Sequence, residues 1–141
     1  MEVKMAQSRE ELEQAYHIRM IVFVEEQEVP AEEELDEHDA TATHFLAYEH
    51  GSAIAASRLR YTDEGYGKLE RICVLKAHRG KSVGQQLIAA MEEEIKHQNY
   101  HKAKLNAQTH ALNFYKKLGY HVISDEFMDA GIPHVTMVKD L

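Results

Sequence analysis

The residues best suited to hold a ligand lie in one run, Ile72-Cys73-Val74-Leu75-Lys76-Ala77-His78-Arg79-Gly80-Lys81-Ser82-Val83-Gly84-Gln85-Gln86-Leu87. It reads as a strand, a turn with glycine and basic residues, and the start of an amphipathic helix. Free backbone N–H groups at such a helix start, the helix dipole, and nearby Arg79 and Lys81 make an anion site suited to phosphates. Gly80 and Gly84 allow a ligand to approach the backbone closely. Two nucleotide motifs fail. Gly80-Lys81-Ser82 mimics the end of a Walker A loop, but that motif needs glycine at position 75, which is Leu75, and no G-x-G-x-x-G run exists. A tight turn with no ligand remains the alternative reading.

Other side chains invite chemistry less strongly. Of ten histidines, His97 and His101 are four apart, but the helix should fray between them at Asn99-Tyr100, so no metal site is expected. Cys73 is the one cysteine, which excludes an internal disulfide and suits a reducing, cytosolic compartment. A lone cysteine in a strand is more often a small buried hydrophobe than a nucleophile. Phe114 and Tyr115 read, on spacing alone, as core aromatics. Residues 25–39 hold nine of the 24 acidic side chains and no Lys or Arg, the pattern of a solvated loop. The net charge of −8 argues against a surface that grips nucleic acid and suits a cationic partner.

Elements that could position these residues can be read from periodicity. A short strand over 3–6 precedes Ser8, which opens a capping box with Glu11. Leu12, Ala15, Ile18, Val22 and Phe23 recur at helical spacing. Strands are expected over 44–49, 53–61 and 68–74, with Asp63-Glu64-Gly65 as a hairpin turn. A helix over 83–97 places Val83, Leu87, Ile88, Met91 and Ile95 on one face. A strand over 103–107, a helix over 110–118 capped by Gly119, and strands over 121–124 and 134–138 complete the order. With 141 residues and no linker or repeat, one mixed α/β (α+β) domain over 1–141 is expected. No apolar run is long enough for a membrane span, and no signal peptide is visible, so a cytoplasmic protein is expected.

Several of these segments resemble one family. Arg79-Gly80-Lys81-Ser82-Val83-Gly84 is similar to the R-x-x-G-x-G/A pyrophosphate loop of the GNAT acetyltransferases, with serine where that loop usually has glycine. His110-Ala111-Leu112-Asn113-Phe114-Tyr115-Lys116-Lys117-Leu118-Gly119-Tyr120 resembles the superfamily's A-x-x-F-Y-x-K-x-G-F helix and turn. Arg19 to Pro30, Glu34 to Asp39, and Gly131 to Met137 resemble the small bacterial ElaA/YjcF-like group. These motifs run in order from about residue 16 to 138.

The resemblance implies a GNAT acyl-CoA N-acyltransferase fold, a mixed central sheet with flanking helices and a splayed parallel strand pair. It implies acetyl-CoA as acetyl donor, with no metal, and a small-molecule amine acceptor attacking directly in a ternary complex. Ile72, Cys73 and Val74 would lie along the pantetheine, Arg79, Gly80, Lys81, Ser82, Val83 and Gly84 on the pyrophosphate, and Asn113 beside the pantetheine. Tyr115 would protonate the departing thiolate. Glu70, expected on the same strand face as Ile72 and Val74, is the candidate base, against an alternative as a surface carboxylate paired with Arg58 or Arg60. Glu26, Asp39 and His134 are further base candidates. Glu26, Gln27, Asp39, Gln108 and His134 are candidate acceptor contacts, with the acidic 25–39 stretch as their rim. Cys73 could instead carry the acetyl group, although the expected strand parity points it away from Glu70. A monomer or homodimer is expected. The rival functions are a non-catalytic acyl-CoA sensing module and, less suited to the charge, a nucleic-acid-binding domain.

Overall fold

The capping box at Ser8 starts the first helix of the computed structural model, which describes residues 1–141. Ser8 Oγ accepts from the Glu11 N–H at 3.1 Å, while the Glu11 carboxylate accepts from Gln7 rather than from Ser8 itself. Helix α1, Arg9–Arg19, buries Ala15 and Ile18. The chain then widens into a π-helical turn, Met20–Glu26, which closes with the Gln27 N–H on the Val22 carbonyl at 3.1 Å. The wider turn rotates the residues after it about the helix axis. The apolar stripe ends with Val22 and the partly buried Phe23, and Gln27 follows the turn to reach Gln108.

Strands β1 (Glu2–Met5), β2 (Thr43–Glu49), β3 (Ser52–Tyr61), β4 (Gly67–Val74), β5 (Lys102–Gln108), β6 (His121–Val122) and β8 (Ile132–Asp140) form one sheet in the order β1-β2-β3-β4-β5-β8-β6, with β7 (Phe127–Asp129) also on β8. Only β4–β5 is parallel, and α3 (Val83–His97) is its crossover. Helix α1 and the π-helical turn cover one face through Ala15, Ile18 and Val22 on Leu46, Ala56 and Cys73. Helix α3 covers the other, where Leu87, Ile88, Met91 and Ile95 meet Phe45, Leu59, Leu69 and Leu105. No helix is long and apolar enough to cross a membrane. The expected strand over 134–138 lies within β8, but β7 and the turn that joins it to β8 lie outside the elements that periodicity predicts. That turn is Ala130-Gly131, both at positive φ (52° and 76°), and alanine carries no signal for that conformation.

Residues 25–39 are not a solvated loop. They include a short helix, α2 (Ala31–Glu34), and two buried carboxylates, Glu34 and Asp39. The cations that neutralise them, Arg19 and Arg58, come from other elements and are themselves 0% and 1% exposed. Charge density within the segment alone conceals that pairing.

Strand β4 carries the feature that shapes the rest. Cys73 lies opposite Ala56 and Glu70 opposite Arg58, so Arg71 and Ile72 together face Ser57. This is a β-bulge with Arg71 at φ 55°. The bulge inverts the alternation. Leu69, Ile72 and Val74 pack toward α3, whereas Cys73 packs toward α1 and Glu70 pairs with Arg58 on that side. Glu70 thus does not share the face of Ile72 and Val74, and Cys73 does not oppose it. Parallel pairing with β5 covers only Gly67↔Ala103, Lys68↔Lys104 and Leu69↔Leu105, after which the two strands diverge.

That pairing depends on close approach of α3 to Gly67, where an added Cβ would lie 2.4 Å from Ile95 Cγ1. Ile95 is fully buried and cannot swing out into solvent to make room. Gly67→Ala is expected to cost about 1–3 kcal/mol of stability through overpacking, measured by urea unfolding.

Candidate active site

Three hollows adjoin in a row where β4 and β5 part. The first, about 470 Å³, runs along Ile72 to Val74, the 78–85 turn and α4 (Leu112–Lys117). The second, about 190 Å³, lies in the splay itself. The third, about 470 Å³, opens beside α2. Ile72, Ala111 and Tyr115 line both the first and the second. Gln27, Arg71, Gln108 and His134 line both the second and the third.

At the first hollow the backbone is arranged for an anion. Gly80 and Ser82 have φ of 78° and 63°, which turns the chain sharply into α3. Ser82 makes no side-chain cap, so the first-turn N–H groups of α3 are left for a ligand. Its left-handed conformation explains why glycine suits that position in the resembling loop. The register Ala55↔Val74, with Leu75 N–H on the Ile54 carbonyl at 2.9 Å, turns the Val74 amide away from β3 and toward the splay. Arg79 braces this edge: its Nε donates to the Val74 carbonyl at 2.9 Å, and its guanidinium grips Glu26 at 2.6 and 2.7 Å. Glu26 is thereby a partner of Arg79 and lines neither the second nor the third hollow. Gly80, Ser82, Val83 and Gly84 line the first hollow, whereas Lys81 and Asn113 are exposed and do not.

His78, Gln85 and Phe114 line it as well, beyond the residues that the sequence singles out. Phe114 is 40% exposed, so the core reading of that aromatic is incorrect; it faces Gly84, whose added Cβ would meet Phe114 Cζ at 3.8 Å. Helical spacing alone points Phe114 inward, and its neighbourhood with Gly84 is set by the packing of α4 beside the 78–85 turn, which no local pattern reveals. Cys73 is buried, its thiol donates to the Ala56 carbonyl at 3.6 Å, and burial pushes its pKa up to about 12. It is a protonated packing residue, poorly suited to carry an acyl group.

Tyr115 stands between the first and second hollows with its phenol pushed up to about 12 by burial. It keeps its proton at neutral pH and can only donate toward charge that develops beside it. Gln27 and Gln108 meet across the splay, Gln108 Nε2 donating to Gln27 Oε1 at 2.9 Å, and His134 pairs in register with Gln108. The fold brings these three candidate acceptor contacts together.

Two other candidates do not reach this space as free groups. Glu70 Oε1 accepts from Arg58 Nη2 at 2.7 Å and Arg60 Nε at 2.9 Å, and Lys68 lies 3.2 Å from Oε2. Burial works against its ionisation, but these cations hold its carboxyl below the usual range. A carboxylate so gripped is a weak base, and the ion-pair alternative is the correct one. Asp39 accepts from Arg19 at 2.7 Å, Arg58 at 3.0 Å and the Asp36 N–H at 2.8 Å. It lines none of the three hollows and is a structural residue rather than an acceptor contact. No group of three or more His, Cys, Asp or Glu side chains converges to hold a metal ion.

Comparison with known proteins agrees with this arrangement. A family model described as "Acetyltransferase (GNAT) domain" matches residues 6–141. The chain is 48% identical over 141 residues to a Bacillus subtilis protein named "Uncharacterized N-acetyltransferase YjcF", covering 99% of this chain and 100% of that protein. The crystal structure of Escherichia coli ElaA matches with a TM-score of 0.87 at 28% identity, over 98% of each chain. A GNAT family acetyltransferase from Elizabethkingia anophelis, solved with acetyl-CoA bound, matches with a TM-score of 0.80 over 99% of this chain and 97% of that one. At 15% identity that likeness is one of fold alone.

The buried ion pairs that hold the acceptor-side wall set a stability test. Burial opposes ionisation of Asp39, yet Arg19 and Arg58 hold it well below the usual carboxylate range. Its stabilisation is therefore complete above about pH 4 and lost as pH falls through the lower folded-state value. Asp39→Asn, which removes one charged acceptor from Arg19 and Arg58 while Glu34, Asp36 and Glu70 stay paired with them, should cost about 1–3 kcal/mol at pH 7. In urea titrations the deficit relative to the wild type should shrink below about pH 4.

Proposed function

Because the chain belongs to the GNAT acetyltransferase family and has its fold, a mixed sheet opened at the parallel β4–β5 pair, we propose that it transfers the acetyl group of acetyl-CoA to a primary amine of a small cationic acceptor by direct attack in a ternary complex. One observation carries this reading: the row of hollows offers free backbone N–H groups at the α3 start at one end, is acidic at the other, and has the Tyr115 phenol at the junction.

In this proposal the α3 N-terminus and the 80–84 backbone hold the pyrophosphate, while Arg79, already satisfied by Glu26, chiefly braces the Val74 edge. The splay-facing N–H of Val74 is available to the pantetheine or to the acetyl oxygen, where it would stabilise developing negative charge. Tyr115 donates its proton to the departing sulfur. Glu32, Glu33, Glu37 and Asp129 around the third hollow draw an ammonium toward Gln27, Gln108 and His134. The placement of Tyr115 at the junction of the two hollows favours catalysis over a sensing module, since passive binding has no use for a proton donor there. Action in the cytosol is part of the same proposal, and the single unpaired cysteine supports it.

Release of free thiol from acetyl-CoA, measured against a panel of alkyl amines, tests the reaction class; no release with any amine contradicts it. Tyr115→Phe should lower kcat by about 100-fold or more and leave CoA affinity unaltered in calorimetry. Gly84→Asp should weaken CoA binding by about tenfold or more, equal to about 1.4 kcal/mol, by setting a carboxylate beside the pyrophosphate.

A further inference from the structure

Acetyl transfer to an amine needs a group that takes a proton from the ammonium, and each carboxylate candidate for that role is held by cations, Glu70 even though it lines the second hollow. Glu70 is gripped by Arg58 and Arg60, Asp39 by Arg19 and Arg58, and Glu26 by Arg79. His134 is not. The residue lines both the second and the third hollow, on the wall where an amine would pass from one to the other. It is 8% exposed and so almost wholly enclosed by protein and the walls of these hollows.

Geometry sets the tautomer. Nδ1 lies 2.7 Å from the Ile132 carbonyl oxygen, and a carbonyl only accepts, so Nδ1 carries the hydrogen. In the neutral ring Nε2 then holds the lone pair. Phe127 stacks on the imidazole with centroids 6.0 Å apart and planes at 21°, which fixes its orientation together with the Ile132 bond. Nε2 makes no hydrogen bond to the protein, and Tyr115 lines the same 190 Å³ hollow. A fixed acceptor and a fixed donor thus border one small space.

We propose that His134 Nε2 is the general base of the transfer. This rests on the acetyltransferase reading above. One ammonium N–H breaks and its proton passes to Nε2, leaving an electron pair on nitrogen. That pair forms the C–N bond as the C–S bond breaks and its electrons go to sulfur. Tyr115 gives its proton to the sulfur and regains one from the new amide nitrogen. The imidazolium releases its proton to water through the third hollow, so each turnover yields amide, thiol and one proton.

The test compares two nucleophiles with acetyl-CoA at neutral pH: 1,4-diaminobutane, which is protonated and needs a base, and hydroxylamine, which is largely neutral and does not. His134→Gln should lower kcat/KM for the diamine by about 100-fold or more while changing the hydroxylamine rate by less than about threefold, with CoA affinity unaltered. In His134→Ala, added imidazole should restore the diamine rate. Equal losses for both nucleophiles, an unchanged diamine rate, or no rescue in a variant that melts like the wild type would overturn the assignment. A wild-type protein that transfers acetyl to neither nucleophile nor to any amine of the panel overturns the acetyltransferase reading itself, and with it this one.

Discussion

Parallel pairing between β4 and β5 ends at Leu69 and Leu105, and the molecule's capacity to bind depends on that stop. A parallel ladder continued to Val74 would consume the backbone groups of both strands and fill the splay. The bulge at Arg71–Ile72 bends β4 away instead, which leaves the Val74 amide unpaired on the side facing β5. It also exchanges the faces of the strand. Ile72 and Val74 go to the hollow side with α3, while Glu70 goes to the ion pairs beneath α1. One extra residue therefore separates the binding edge from the structural charges.

Those charges explain how so acidic a chain keeps an ordered wall beside the splay. Arg19 and Arg58 are fully sequestered and hold Glu34, Asp36, Asp39 and Glu70. Burying such groups is costly unless every one is paired, and here donors and acceptors are matched by direct bonds. The carboxylates outside this network, Glu32, Glu33, Glu37 and Asp129, border the third hollow. The charge of −8 is thus divided. Part of it is neutralised inside the fold, and part is presented where a cation would enter.

Local signals are legible in the sequence and non-local ones are not. Helix α3 occupies 83–97 as its periodicity indicates, because Val83 to Ile95 repeat on one face and no competing element shares those residues. The Ser8 cap and the Arg79–Gly84 turn are equally local. The bulge is hidden because Arg71, at positive φ, is a residue type that rarely marks one, and strand parity assumes unbroken alternation. Asp39 looks free in the sequence because its partners lie 20 and 19 residues away. Phe114 looks like core because spacing shows which residues share a face but not what covers that face.

A crystal structure with acetyl-CoA bound would show whether the splay between β4 and β5 holds the acetyl donor. The pyrophosphate is expected on the 80–84 backbone, the pantetheine along Ile72 to Val74 inside the splay, and the thioester sulfur within hydrogen-bonding distance of the Tyr115 hydroxyl. Acetyl-CoA bound elsewhere on the surface, or bound in the splay with its sulfur remote from Tyr115, would contradict that placement.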